Sequence, residues 1–174
     1  MKGFDYSVLG DSKFYDKMRP LGSHIRNKMY KINYIGLENI PAEGGFIMAA
    51  NHNHALDPVF IGIPIENRQM HFMAKKELFD NPIAKYFLTK MNGFPIVRGG
   101  MDKDALKYAI RVVEEGRILG LFPEGIQSTS GSTHPINPAT AQFLKRSKAN
   151  IVVATSKGAY LATNRYSKDR KKGP

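Results

Sequence analysis

The sequence predicts an α/β fold: a mixed, largely parallel sheet flanked by helices and preceded by an N-terminal amphipathic helical segment. Three observations predict it. Short apolar runs alternate with longer stretches of helical periodicity along most of the chain. The connections between them are short and carry Gly, Pro, Asn and Asp, the residues that turns and helix starts require. Finally, 174 residues with 42% hydrophobic content suffice for one domain whose core needs no metal or disulfide staple.

Taken in order, residues 1–31 form a helical, candidate membrane-associating segment. Met18, Leu21, Ile25 and Met29 recur at three- and four-residue steps and so share one helical face, among Lys13, Lys17, Arg19, Arg26 and Lys28. Pro20 and Gly22 are expected to break this helix into two pieces. Two readings stay open: a helix packed on the core, or a basic amphipathic element lying on a membrane. Residues 32–35 read as a short strand, 41–45 as a turn, and 46–50 as a buried strand ending at Asn51. Residues 58–65 start a helix, with Asp57 near its cap and Pro58 in its first turn.

Residues 70–74 are a further strand. Asp80 is expected to cap a helix through Lys90, with Pro82 tolerated near its start. Residues 94–97 are a strand, and 102–115 the clearest helix, with a stripe of Leu106, Ala109, Ile110 and Val113 and a stop at Gly116. A strand at 117–122, a helix at 138–145 and a strand at 151–155 complete the pattern. Residues 32–164 thus constitute the main domain. Residues 165–174, with five basic side chains and one acidic, form a basic tail. No repeat of 20–50 residues is visible.

Composition narrows the function classes. The absence of cysteine excludes a disulfide framework, a Cys-ligated zinc site and a thiol nucleophile. No run approaches the roughly 20 apolar residues of a spanning helix. The first 13 residues carry Asp5 and Asp11 and lack the apolar core of a secretory signal. The net charge of +11 fits a solvated surface, nucleic acid or anionic lipid. Zinc-finger spacing, an RNA-recognition aromatic motif and a helix-turn-helix signal are all missing, so nucleic acid is not an expected partner.

Three loops follow predicted strands, where α/β proteins place their ligands. In the first, His52 precedes Asp57 by five positions at a strand end running into a helix. Asp57 can accept from one imidazole nitrogen while the other takes a proton from a substrate hydroxyl. A loop histidine bonded locally is the plainer alternative. His52 and His54 with Asp57 also offer a metal reading. Hydrolases of HxHxD pattern, however, place the aspartate where Leu56 stands. The second loop brings Arg98 beside Gly99 and Gly100, a combination suited to a phosphate. In the third, Glu124 stands between Pro123 and Gly125, placed to hold a polar substrate or to orient a neighbour.

In this order and spacing the loops resemble the glycerolipid acyltransferase family, in particular the 1-acylglycerol-3-phosphate acyltransferases. The Asn-His-x4-Asp block matches Asn51, His52 and Asp57; Gly-Phe-Pro-x-x-Arg-Gly matches residues 93–99. Phe-Pro-Glu-Gly matches Phe122, Pro123, Glu124 and Gly125. Ala74-Lys75-Lys76-Glu77-Leu78 is similar to a further family stretch, and residues 36–41 resemble the lead-in to the first block. The resemblance runs from about Ile35 to Thr155.

It implies transfer of a fatty acyl group from a thioester, acyl-CoA or acyl-carrier protein, to the hydroxyl of a lysophospholipid. The implied acceptor is 1-acylglycerol-3-phosphate and the product phosphatidic acid, in phospholipid biosynthesis. His52 is then the general base and Asp57 its orienter. Lys75, Arg98 and Gly99 hold the acceptor phosphate, while Glu124 and Gly125 shape the acceptor side. No bound cofactor and no metal are implied, and the enzyme would be peripheral, on the cytoplasmic face of an anionic membrane.

The chain departs from the family in three places. Ile126 and Gln127 replace the usual Thr and Arg, His54 stands where serine is usual, and the last strand lacks the family's prolines. The first departure motivates an alternative acceptor, another lysolipid. A catalytically inactive basic protein binding membrane or nucleic acid is the alternative outside the enzyme class. The chain is also short for the family, which fits either a C-terminally truncated fragment or a reduced form.

Overall fold

Five apolar runs become the strands of one sheet: β1 (Phe46–Ala50), β2 (Met70–Lys75), β3 (Gly93–Ile96), β4 (Ile118–Leu121) and β5 (Asn150–Ala154). A computed structural model describes residues 3–10, 12–97 and 102–162, the side chains of residues 25, 26 and 29 excepted. The strand order is β3-β2-β4-β1-β5, and every pairing is parallel. Among the described residues the sheet is therefore wholly parallel, and its five strands end at one edge.

The order places a topological switch at that edge. From β1 the chain leaves past β4 to β2 and β3; from β4 it leaves past β1 to β5. Neighbouring strands whose continuations diverge leave a crevice beyond their carboxyl ends. The loops containing His52 and Glu124 follow β1 and β4, so both open into it.

Helices α2 (Asp57–Gly62), α3 (Pro82–Lys90), α4 (Lys103–Glu114) and α5 (Pro138–Ser147) connect the strands, after α1 (Lys13–Met29). Alternation along β1 sends Ile47 to one face and Phe46 and Met48 to the other, and both faces are covered. On the first, α4 packs Ala105, Tyr108, Ala109 and Val112 against Ile47, Phe94 and Leu119. On the second, Phe46 and Met48 meet Met70, Phe72 and Ile118.

Several expectations are corrected. Residues 32–35 form no strand; Ile35 lies 89% exposed, and Tyr34 instead donates to the Phe60 carbonyl at 2.7 Å. Helix α1 runs unbroken through Pro20. Tertiary contacts on either side of the proline hold it: Tyr15 is buried, Arg19 donates to the Arg68 carbonyl, and Gly22 lies against Ile63. Its inward face accordingly runs Tyr15–Arg19–Gly22 rather than through Leu21, which is exposed.

The cap of α3 is Asn81, not Asp80; its Oδ1 accepts from the backbone of Ile83 and Ala84. Asp57 stands near the cap of α2 as expected, directly after the N-cap residue Leu56. The stripe of α4 is rotated towards Tyr108 and Val112, leaving Leu106, Ile110 and Val113 partly buried. The basic tail lies outside the described residues. Among those described, no helix is long and apolar enough to cross a membrane.

Candidate active site

Strand β1 ends at Ala50, and its parallel neighbours fix the loop that follows. Asn51 pairs with the main chain beyond β5, accepting from Ser156 N at 2.7 Å and donating to Ser156 O at 3.0 Å. The backbone of His52 is held by the loop after β4. Its N–H donates to Glu124 Oε1 at 3.2 Å and its carbonyl accepts from Ser128 N at 2.7 Å. The loop after β4 is thereby tied to the residue that faces the crevice.

The His52 imidazole is positioned from two sides. Nδ1 lies 3.0 Å from Asp57 Oδ2, and the ring stacks on Phe122, centroids 4.1 Å apart and planes inclined by 19°. The fully buried Asp57 also accepts, on the same oxygen, from Asn53 N and His54 N, each at 2.7 Å. Two main-chain donors hold a carboxylate, which only accepts, so His52 Nδ1 carries the hydrogen. In that tautomer Nε2 is the nitrogen with a free lone pair. Among the described residues no group bonds to Nε2, and the side chain is 18% exposed. Such an arrangement can accept a proton from a hydroxyl and hold the resulting imidazolium against a buried anion.

Phe122 is in turn backed by Phe72, stacked at 6.1 Å and 15°. Phe72 reaches that position because its partner in register on β4 is Gly120; a Cβ there would lie 2.1 Å from the Phe72 ring. Glycine in a central strand thus makes room for the ring that supports the ring beneath the imidazole.

Glu124 is buried and directs both oxygens to main-chain donors, Oε1 to His52 N and Oε2 to His134 N at 3.0 Å. It joins the first and third loops. Gly125 follows at φ +72°, a left-handed turn that glycine adopts without strain, and its N–H closes on the Phe122 carbonyl. Lys75 ends β2 at the same sheet edge, half exposed, with Nζ 3.9 Å from Glu77. Arg98 and Gly99 lie outside the described residues. The residues flanking that segment are joined, Asp102 accepting from Val97 N at 3.0 Å.

His54, the other histidine of the first loop, is buried against Tyr30 and Phe60, and its Nδ1 accepts from Leu56 N at 3.1 Å. Burial lowers its pKa below the usual histidine value, so it holds the loop as a neutral ring. With Nδ1 committed to the backbone, the two histidines and Asp57 do not share one ligand geometry. Among the described residues no three His, Cys, Asp or Glu are grouped to hold a metal ion.

Sequence reasoning brought together His52, Asp57, Glu124 and Gly125, which meet in the crevice. It missed the support by Phe122, Phe72, Ser128 and Ser156. The signal available was Gly120, a glycine inside an apolar strand run, which marks a close approach.

A family model described as Acyltransferase matches residues 31–157. A 1-acyl-sn-glycerol-3-phosphate acyltransferase of Bacillus subtilis is 33% identical over 135 residues, covering 78% of this chain and 67% of the relative. One from Streptococcus pneumoniae is 30% identical over 170 residues, 94% of this chain and 62% of the relative. Among solved structures, the 1-acyl-sn-glycerophosphate (LPA) acyltransferase PlsC of Thermotoga maritima superposes with a TM-score of 0.72 at 23% identity. It covers 87% of this chain and 61% of that one, a likeness of fold. The chain therefore spans about two thirds of the length of these proteins.

Proposed function

The chain belongs to the acyltransferase family, and on that premise we propose that it moves a fatty acyl group from an acyl thioester to the hydroxyl of 1-acylglycerol-3-phosphate, giving phosphatidic acid. The names of the relatives support this acceptor. The observation that carries the chemistry is the His52–Asp57 pair, 3.0 Å apart at the switch point, with Nε2 turned to no protein group among the described residues.

In this reading His52 Nε2 removes the proton as the acceptor oxygen attacks the thioester carbonyl carbon. The tetrahedral intermediate then collapses, the carbon–sulfur bond breaks, and the proton on His52 passes to the departing sulfur. No acyl-enzyme forms, in keeping with a chain devoid of cysteine. Asp57 holds the productive tautomer and offsets the imidazolium charge, and base catalysis of this kind contributes about 10²–10⁴-fold. Glu124 and Gly125 act by holding the loops on the acceptor side; Lys75, Arg98 and Gly99 supply the phosphate contacts. The donor is acyl-CoA or acyl-carrier protein, no bound cofactor takes part, and the enzyme works as a peripheral protein on the cytoplasmic face of an anionic membrane.

One observation favours a second acceptor. Gln127 occupies the place where the family usually has arginine, and its Nε2 donates to the Asn53 carbonyl at 3.4 Å. A neutral amide engaged with backbone contributes less to a phosphate than a guanidinium. Incubation with labelled acyl-CoA or acyl-carrier protein and a panel of lysolipids decides the matter. Labelled phosphatidic acid as the main product supports the first reading; a different acylated lipid supports the second. No acylated lipid from any acceptor contradicts both.

A further inference from the structure

Helix α3 presents a contradiction between composition and burial. Its sequence, Pro-Ile-Ala-Lys-Tyr-Phe-Leu-Thr-Lys, has no acidic residue, yet none of its side chains is buried. Ile83 is 80% exposed and Tyr86 60%. Phe87 is also exposed, as is Leu78 in the turn before the helix. Helix α1 extends the surface: Phe14 meets the rings of Tyr86 and Phe87 edge-on at 6.5 and 6.2 Å. Contiguous exposed apolar groups of this kind mark an interaction site.

The rim identifies the partner. Lys90 Nζ lies 5.9 Å from the Tyr86 centroid, and Lys13 and Lys17, which flank Phe14 on α1, and Lys76, two residues before Leu78, are exposed as well. Among the described residues the nearby acids are Asp16, Glu77 and Asp80, all exposed; Asp16 is engaged by Arg19 and Gln69, and Glu77 faces Lys75. Aromatic and aliphatic side chains ringed by lysines fit the headgroup zone of an anionic bilayer, where apolar groups enter and ammonium groups remain among phosphates. Each lysine near such a surface raises partitioning about fivefold.

We propose that α3, with Leu78 and Phe14, is the surface by which this protein seats on an anionic lipid bilayer. The inference rests on the peripheral membrane placement in the functional reading and assigns it to α3 and its neighbours. Lys75, at the carboxyl edge of the sheet, leads directly into this surface through the turn Lys76–Phe79.

The chain has no tryptophan, so Ile83→Trp introduces a single reporter. On addition of phosphatidylglycerol vesicles its emission should shift to the blue, with little change on phosphatidylcholine vesicles. In co-sedimentation, the triple variant Ile83→Ser/Tyr86→Ser/Phe87→Ser should bind phosphatidylglycerol vesicles at least tenfold more weakly. Lys13→Gln/Lys90→Gln should weaken binding and flatten its salt dependence. Unchanged indole emission from the Ile83→Trp variant, in a protein that does sediment with vesicles, would overturn the assignment. So would a triple variant that converts a lipid-free dimer to monomer, which would make this a self-association surface. Binding is read without turnover: a protein that binds through α3 but transfers no acyl group contradicts the functional reading alone.

Discussion

His71 is fully enclosed on β2, and among the described residues neither of its ring nitrogens has a hydrogen-bond partner. Burial and the nearby Arg117 guanidinium push its pKa down from 6.5 to about 4, with the Tyr108 ring 6.3 Å away. The folded state therefore refuses a proton that the unfolded chain accepts. Stability from this group is fully present above pH 6.5 and is lost as pH falls from there towards 4. The displacement is worth about 3 kcal/mol. In His71→Leu that loss disappears, and removing two unpartnered buried polar atoms offsets part of any packing loss. Urea unfolding of both proteins at pH 7.5, 6, 5 and 4 measures it. The variant's stability relative to wild type should rise by about 3 kcal/mol across that range. Parallel pH curves for the two proteins would show that His71 contributes no pH-dependent stability.

Asp57→Asn should lower kcat by about 10²–10⁴-fold with the donor KM nearly unchanged, because it disturbs the tautomer rather than a binding contact; steady-state kinetics with varied donor separates the two. Phe122→Leu removes the stacked ring beneath His52 and should lower kcat by about tenfold, a loss of about 1.4 kcal/mol in the transition state, in the same assay. Gly120→Ala places a methyl group in the Phe72 ring and should destabilise the fold by about 1–3 kcal/mol, read by thermal melting.

The strands that bury both faces were legible because an uninterrupted apolar run between turn residues has few alternatives: residues 46–50 were read with the bounds observed for β1. Residues 32–35 have the same look without a neighbour to pair with, and pairing is a tertiary fact that composition does not contain. Pro20 misled for a related reason, since contacts from Tyr15, Arg19 and Gly22 outweigh the bond it removes from α1. At the site, the spacing of His52 and Asp57 was visible because both lie in one loop. The stack of Phe72, Phe122 and His52 was not, because it joins three strands whose order, β2-β4-β1, follows from the fold.

His52, held by Asp57, is proposed as the base of an acyl transfer to a lipid hydroxyl. The most direct test is the rate of labelled phosphatidic acid formation from acyl thioester and 1-acylglycerol-3-phosphate by wild type and His52→Ala. Circular dichroism and melting temperature are matched between the two. Wild type should form product robustly and the variant should lose at least about 10²-fold, with the fold retained. A folded His52→Ala protein that forms phosphatidic acid at a rate near wild type would contradict that role for His52.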